Sequence, residues 1–476
     1  MNNAKIKPII WVLLTAFLVR FILAIFALIQ AKSLRIFHVG DTASYLKPAH
    51  DLLTYGRFTS NGFPEIFRVP GYCIMLIPGI ILNQVELVTV ALQIGLTCLA
   101  VYLVYKIALL LFNNNEPIAV ICAFLYALEP LSIIYTVKLL TESAFACLIL
   151  AFLYCFLKYF KGQSLSWLLV SSIILAISTY VRPIAYYLPF LLTLLLVIWE
   201  LTKTPHKIIA LFHALLFFSL SMGPIYLWNI RNKTVADYSG FSSVVEVNLY
   251  YWHAAALLTV KEGKTFGEQQ IRLQNQLKNE VPKEAFRGDI PAHLCCTPAY
   301  TSPTVLNYMR TEAKKIIFKN YLIYFKLRLN GTLNLLLNST PWPYLTTLNV
   351  YKIDGFADIA NQQATEFIKK GLLAGMAYYL NQTPGVVSRT WLILQVNLIL
   401  YMVFALIGLL SKNFFKPFPS LIVMTLGFYL TIIPGGPDAL SSRYRHPIMP
   451  IICILAGYGV YFIVVQFKQR FMANTK

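Results

Sequence analysis

The feature that most constrains this chain is a series of apolar stretches, most of them about 20 residues long and nearly free of charge, the length that crosses the hydrocarbon core of a bilayer. They occupy 9–30, 85–112, 118–135, 139–160, 165–181, 184–201, 208–229, 390–410, 419–434 and 447–467. Lipid offers no partner to backbone amides, so such segments are expected to be helices. Composition agrees, with 58% hydrophobic and only 13% charged residues in 476. The first stretch lacks a small-residue cleavage site after a short apolar core, so it reads as a retained span. The expected fold class is an all-α polytopic integral membrane protein with about ten spans. The count rises to twelve if the apolar residues within 300–390 form a further hairpin.

Ten spans with the N-terminus inside put Lys5, Lys7, Lys158, Lys161, Lys203, Lys207, Lys412, Lys416, Lys468 and Arg470 on the cytoplasmic side. That satisfies the positive-inside rule. It predicts cytoplasmic termini and an outward, periplasmic or lumenal, working face, in a bacterial inner membrane. The net charge of +20 is then largely a topology signal. It also suits membrane lipids and phosphate-bearing ligands, and argues against nucleic acid.

Eight cysteines are scattered without zinc-site spacing. Cys295 and Cys296 fall in an outward loop, where a disulfide, with Cys73 as one candidate partner, stays open. Four Asn-x-Thr sequons, at Asn232, Asn330, Asn338 and Asn381, read as chance in an Asn-rich chain.

The loops are unequal. Segments 31–84 and 230–389 are long and outward, while the cytoplasmic connections are short. No pair of similar halves is visible, which argues against an inverted-repeat transporter. Three parts follow: a membrane core, 1–229, with a catalytic first loop at 31–84; an outward region, 230–389, with interfacial helices; and terminal spans, 390–476.

In the first loop Tyr45, Ala49, Leu52 and Leu53 recur at helical spacing, with Gly56 as a stop and Asp41 as an N-cap. Pro48 predicts a kink, or a helix that begins near it. Segment 71–83 is apolar but too short to span, and is expected at the interface. Further along, 261–284 reads as a charged helix, and 312–337 as one basic amphipathic helix.

With only 20 acidic residues in the chain, a carboxylate at a span end calls for a reason. The ionisable residues nearing the outward face are Asp41, Arg68, Glu142, Arg182, Arg231, Asp438, Arg443 and Arg445. Arginine binds phosphate through two parallel hydrogen bonds, and a carboxylate beside it can act as a base. Structural readings compete at every position. Asp41 would be a plain cap, Glu142 a partner of Lys138, Arg182 a snorkelling turn residue, Arg443 and Arg445 span anchors, and Arg231 a flank. His38, His50, His253 and His293 show neither triad nor ligand spacing, and structural roles are expected for them.

These residues sit in motifs that resemble a family. Gly40-Asp41 stands ahead of Tyr45, and Arg68-Val69-Pro70-Gly71-Tyr72 closes the first loop. Leu140-Thr141-Glu142, Tyr180-Val181-Arg182-Pro183, Trp228-Asn229-Ile230-Arg231-Asn232 and Ser442-Arg443-Tyr444-Arg445 follow in order. The set resembles the GT-C glycosyltransferases of the protein O-mannosyltransferase and aminoarabinose-transferase type. The resemblance implies a hexosyl- or glycosyltransferase that takes a sugar from a polyprenyl-phosphate donor to a lipid, glycan or protein acceptor, with inversion. It implies Asp41 as general base and Arg68, Arg182, Arg443 and Arg445 as lipid-phosphate ligands. Tyr45 and Tyr72 would bind substrate, and Glu142 would be a second acid for substrate or metal. No cofactor is certain, and a divalent metal is the one candidate. Many relatives carry a second acid directly after the loop aspartate; here it is Thr42. The alternatives are an O-antigen ligase or polymerase, relying on His253 or His293, and a transporter or flippase without transfer chemistry.

Overall fold

The computed structural model describes residues 7–162, 164–203, 207–287, 302–350, 356–411, 418–437 and 442–474. Ten helices form the first part of the chain. In order they are α1 (Pro8–Ala31), α2 (Thr42–Tyr55), α3 (Pro70–Ile81), α4 (Val85–Leu111), α5 (Glu116–Ala127), α6 (Pro130–Thr136), α7 (Glu142–Gly162), α8 (Leu165–Val181), α9 (Leu188–Lys203) and α10 (Lys207–Ala236), which pack into an apolar body. The long segment after α10 folds as α11 (Val244–Val247), α12 (Ala255–Glu262), α13 (Phe266–Glu280), α14 (Pro303–Lys319), α15 (Tyr321–Leu337), α16 (Trp342–Thr347), α17 (Phe356–Lys370) and α18 (Leu372–Gln382). The chain closes with α19 (Gly385–Leu410), α20 (Phe418–Ile432), which also packs against the body, and α21 (Met449–Asn474). Among the described residues the only strands are β1 (Thr59–Ser60) and β2 (Phe63–Pro64), an antiparallel pair.

The all-α polytopic expectation is met. Seven helices are long and apolar enough to cross a membrane, or eight if the bent pair α5 and α6 is one span. The other two expected spans, α8 and α20, are apolar helices of 17 and 15 residues. Helix α7 is the centre, with 78% of its apolar window buried, against 28% for α1, α10 and α19. Outer helices instead present stripes such as Trp11, Leu14, Phe17, Phe21 and Ile25 outward, as a lipid-facing surface requires.

Close helix approach depends on small residues. A Cβ on Gly459 of α21 would lie 2.0 Å from the Phe404 carbonyl oxygen of α19. A Cβ on Gly71 of α3 would lie 2.6 Å from the Tyr180 carbonyl oxygen at the end of α8. That second contact brings the Arg68 loop against the Arg182 turn.

The α5–α6 span bends by 53° at Leu128–Glu129. Glu129 caps α6, accepting from the Leu131 and Ser132 amides at 2.9 and 2.6 Å. Arg20, fully buried in α1, donates to the Ala127 carbonyl at 2.8 Å and to Ser132 Oγ at 2.7 Å. Backbone groups that the break strands are thereby paired inside the protein.

Two helix readings need correction. Segment 312–337 is not one helix, because α14 ends at Asn320, whose side chain bonds back to the Ile316 carbonyl at 2.8 Å. Segment 261–284 is likewise divided. Gly263, at φ +73°, ends α12, and a capping box between Thr265 and Glu268 starts α13. No further spanning hairpin occurs among the described residues of 300–390. This region has its own core, including Tyr250, Tyr251, Leu273, Leu277, Met309 and Phe367. Cys73 is a buried free thiol, and Cys295 and Cys296 lie outside the described residues.

Candidate active site

Asp41 stands at the start of α2 but does not cap it. Its backbone is already helical (φ −78°, ψ −18°), and no side-chain cap bond forms. Thr42 closes the turn that leads into the helix: its Oγ1 accepts from the Val39 amide at 2.9 Å and donates to the Leu139 carbonyl at 3.2 Å. Thr42 is therefore buried against the chain leading into α7. An acid there would meet a carbonyl oxygen, and the missing second acid has a packing reason. Gly56, at φ +63°, stops α2 as expected, and Pro48 lies inside the helix.

The Asp41 carboxylate is spent on tertiary partners. Arg68 Nη2 donates to Oδ1 at 2.9 Å, and Arg443 Nη1 donates to Oδ2 at 2.6 Å. Arg443 also donates through Nε to Glu142 Oε1, so one guanidinium joins two carboxylates. Arg182 Nη1 lies 3.4 Å from the same Glu142 oxygen, an ion pair without hydrogen-bond geometry. The cluster gathers Asp41, Arg68, Glu142, Arg182 and Arg443 from positions 41 to 443 of the chain. Three guanidinia face two carboxylates, leaving an excess of positive charge.

The two carboxylates differ in access. Asp41's side chain is 26% exposed, whereas Glu142's is wholly buried with Oε2 unbonded. Only Asp41 can be reached by a ligand. Burial alone would push its carboxyl up, but Arg68 and Arg443 outweigh this and hold it at about 2, below the ordinary 3.8. Asp41 is ionised at any physiological pH.

Arg68 is held on all sides. Its Nε donates to Ser44 Oγ at 2.9 Å, its Nη1 donates to Tyr45 Oη at 3.0 Å, and its plane lies over the Tyr45 ring at 4.3 Å. Beneath it, buried Glu65 accepts from the Phe67 and Arg68 amides at 2.6 and 2.8 Å. Burial raises the Glu65 carboxyl, those amides and the nearby arginines opposing it. Arg231, read as a flank, ties this loop down by donating to the Glu65 and Phe58 carbonyls at 2.7 and 2.8 Å.

A cleft of about 580 Å³ opens over Asp41 and Arg443. Its lining adds Arg35, His38, Tyr135, Lys138 and Trp342. In the sequence, Arg35 carries no mark of a cleft residue and Lys138 reads only as a partner for Glu142. That pairing is corrected: Lys138 Nζ donates to the Ile36 carbonyl at 2.7 Å. Burial pushes the Lys138 ammonium down to about 8. Their position just before and after a span was the available signal, but no periodicity says that two such ends meet.

Other expected residues fall elsewhere. Arg445 turns away, donating to the Leu335 and Asn338 carbonyls at 2.7 Å each, beside Glu129 in a separate small cavity. The polar contacts of Tyr45 and Tyr72 are internal. Tyr72 is fully buried, donates to Gln93 Oε1 at 2.9 Å, and packs edge-on against Tyr45. His38 meets Glu86 at 2.8 Å. His253 is paired with Tyr324 Oη at 2.8 Å, and burial lowers it to about 3. It stays neutral beside Tyr324. His293 and Asp438 lie outside the described residues.

The residues present do not fit a divalent metal. No group of three or more His, Cys, Asp or Glu side chains suited to a metal ion occurs among the described residues. Both Asp41 oxygens and one Glu142 oxygen already accept from guanidinia.

Residues 69–222 match the family of dolichyl-phosphate-mannose-protein mannosyltransferases. That stretch holds Tyr72, Glu142 and Arg182, and the resemblance drawn from the ordered motifs is borne out there. No curated protein matches the chain. Among solved structures it is similar to the archaeal oligosaccharyltransferase AglB from Archaeoglobus fulgidus, solved with an inhibitory peptide and a dolichol-phosphate. Identity is 11% and the TM-score 0.48, over 97% of this chain and 52% of that one. It is also similar to ArnT from Cupriavidus metallidurans bound to undecaprenyl phosphate, at 13% identity and TM-score 0.36, over 93% and 77% of the two chains. The chain spans about half the length of the archaeal enzyme.

Proposed function

We propose that this integral membrane protein is a glycosyltransferase that moves a sugar from a polyprenyl-phosphate donor to an acceptor hydroxyl on the outward face of a bacterial inner membrane. The observation that carries this reading is one accessible carboxylate, Asp41, in a cleft otherwise charged by Arg35, Lys138 and Arg443. Such a cleft suits an anionic phosphate together with a hydroxyl to be deprotonated. The family match over 69–222 supports the same chemistry.

In the proposed step the acceptor oxygen attacks the anomeric carbon opposite the phosphate, and the configuration inverts. The carbon–oxygen bond to the carrier breaks, and the phosphate leaves as an anion without a protein acid. Arg443, Lys138 and Arg35 hold it and stabilise its growing charge. Arg182, ion-paired with buried Glu142 and outside the cleft lining, backs the cluster from behind. Asp41 takes the acceptor proton. At about 2 it is a weak base. A phosphate entering beside Arg443 competes for that guanidinium and returns basicity to the carboxylate.

The test is mass spectrometry of envelope glycolipids and glycoproteins from a deletion strain. Loss of one sugar-bearing species is expected, restored by the wild-type chain and not by Asp41→Asn, which should lower transfer by about 10²–10⁴-fold. An unchanged envelope, or full restoration by Asp41→Asn, overturns the proposal.

A further inference from the structure

Arg443 occupies an unusual place. Its Nη1 donates to Asp41 Oδ2 at 2.6 Å while its Nε donates to Glu142 Oε1. Two acids from different elements, one in the first loop and one opening α7, thus share one cation supplied by the turn before α21. Paired carboxylates at a site that handles phosphate commonly hold Mg²⁺ or Mn²⁺, which bridge protein oxygens to phosphate oxygens. Here the bridging position is filled by a side chain.

We infer that the Arg443 guanidinium is the resident cation of this site, standing between Asp41 and Glu142 where a divalent ion would bridge them, so that the reaction runs without a metal. Metal independence of the reaction rests on the transferase reading, whereas the guanidinium's place between the two acids is set by geometry alone. Three observations favour it. Asp41 also receives Arg68 at 2.9 Å on its other oxygen, so neither oxygen is left for a metal without displacing an arginine. A hard divalent ion needs about six oxygen ligands at roughly 2.1 Å, and the one carboxylate oxygen without a bond, Glu142 Oε2, supplies a single ligand. With Arg443 in place, Arg68, Arg182 and Arg443 set three positive charges against two negative ones, so two further positive charges would be repelled.

A guanidinium differs from a metal in what it offers the phosphate. It gives directed, planar hydrogen bonds and does not exchange with solvent ions. The site would be poised at all times and indifferent to chelators.

Mn²⁺ binding to the purified full-length chain in nanodiscs, followed by the loss of the free-ion spin-resonance signal, tests this without any activity assay. Wild type should show no Mn²⁺ binding that Asp41→Asn removes. Arg443→Ala should gain a site at least about tenfold tighter than any in wild type, and the double variant with Asp41→Asn should lose it. Wild-type binding abolished by Asp41→Asn would overturn the inference, whether or not Arg443→Ala folds. A folded Arg443→Ala that gains no Mn²⁺ would overturn it as well. Because the readout is ion binding, failure of the transferase proposal leaves a different signature: the predicted Mn²⁺ pattern with an unchanged envelope.

Discussion

Asp41 and Lys138 face the same cleft and both are shifted down, Asp41 by its arginine partners and Lys138 by burial, so their effects on pH dependence differ. Asp41, held at about 2 against its burial by Arg68 and Arg443, stays ionised as pH falls through the range where an ordinary carboxylate protonates. The free-enzyme profile, kcat/KM, should therefore stay flat from about pH 7 down to about pH 4. Lys138, lowered to about 8 by burial, loses its charge as pH rises through that value. If its ammonium helps hold the phosphate, kcat/KM falls above about pH 8, and Lys138→Arg moves the fall beyond about pH 10. A limb near pH 6 in the wild type would contradict the paired state of Asp41, and a basic limb unmoved by Lys138→Arg would remove Lys138 from binding.

At the scale of elements, a break and a close contact build the site. The α5–α6 span turns at Glu129, which lets the chain through Lys138 enter the cleft, and Arg20 from α1 pairs the carbonyl that the turn exposes. Arg20→Leu removes two donors from a buried carbonyl and a buried hydroxyl. Each stranded group costs about 1–3 kcal/mol. The expected result is a lower midpoint in a thermal or detergent-challenge unfolding assay, with the surviving folded protein keeping its donor affinity. A variant as stable as the wild type would show that the break does not depend on Arg20. Neither role was legible in the sequence. Arg20 lies in a stretch that reads only as a span, and Glu129 in one that reads as continuous from 118 to 135.

For the whole molecule, the loop charges predict that the cleft and the outward region share the face opposite the short basic loops. A single cysteine in place of exposed Arg57, in a background without other cysteines, should react with a membrane-impermeant thiol reagent in intact spheroplasts. One placed at Asn114, in the α4–α5 turn, should react only after permeabilisation. The reverse pattern would invert the molecule and remove the proposed periplasmic acceptor.

The sequence by itself determined that this chain is a helical membrane protein, because span length and apolarity are local quantities read one segment at a time. It also singled out Asp41, Arg68, Glu142, Arg182 and Arg443, because charges are scarce at span ends and their motifs occur in order. It could not say which of them touch. Arg445, two residues from Arg443, shares its local setting yet serves the Leu335 and Asn338 carbonyls. Tyr72 reads as a ligand and is buried against Gln93. Lys138 reads as a partner of Glu142 and bonds to Ile36 instead. Only the tertiary structure decided these outcomes. Side-chain direction at a turn is set by the helices packed around it, and one guanidinium joining position 443 to positions 41 and 142 leaves no periodic trace in the chain.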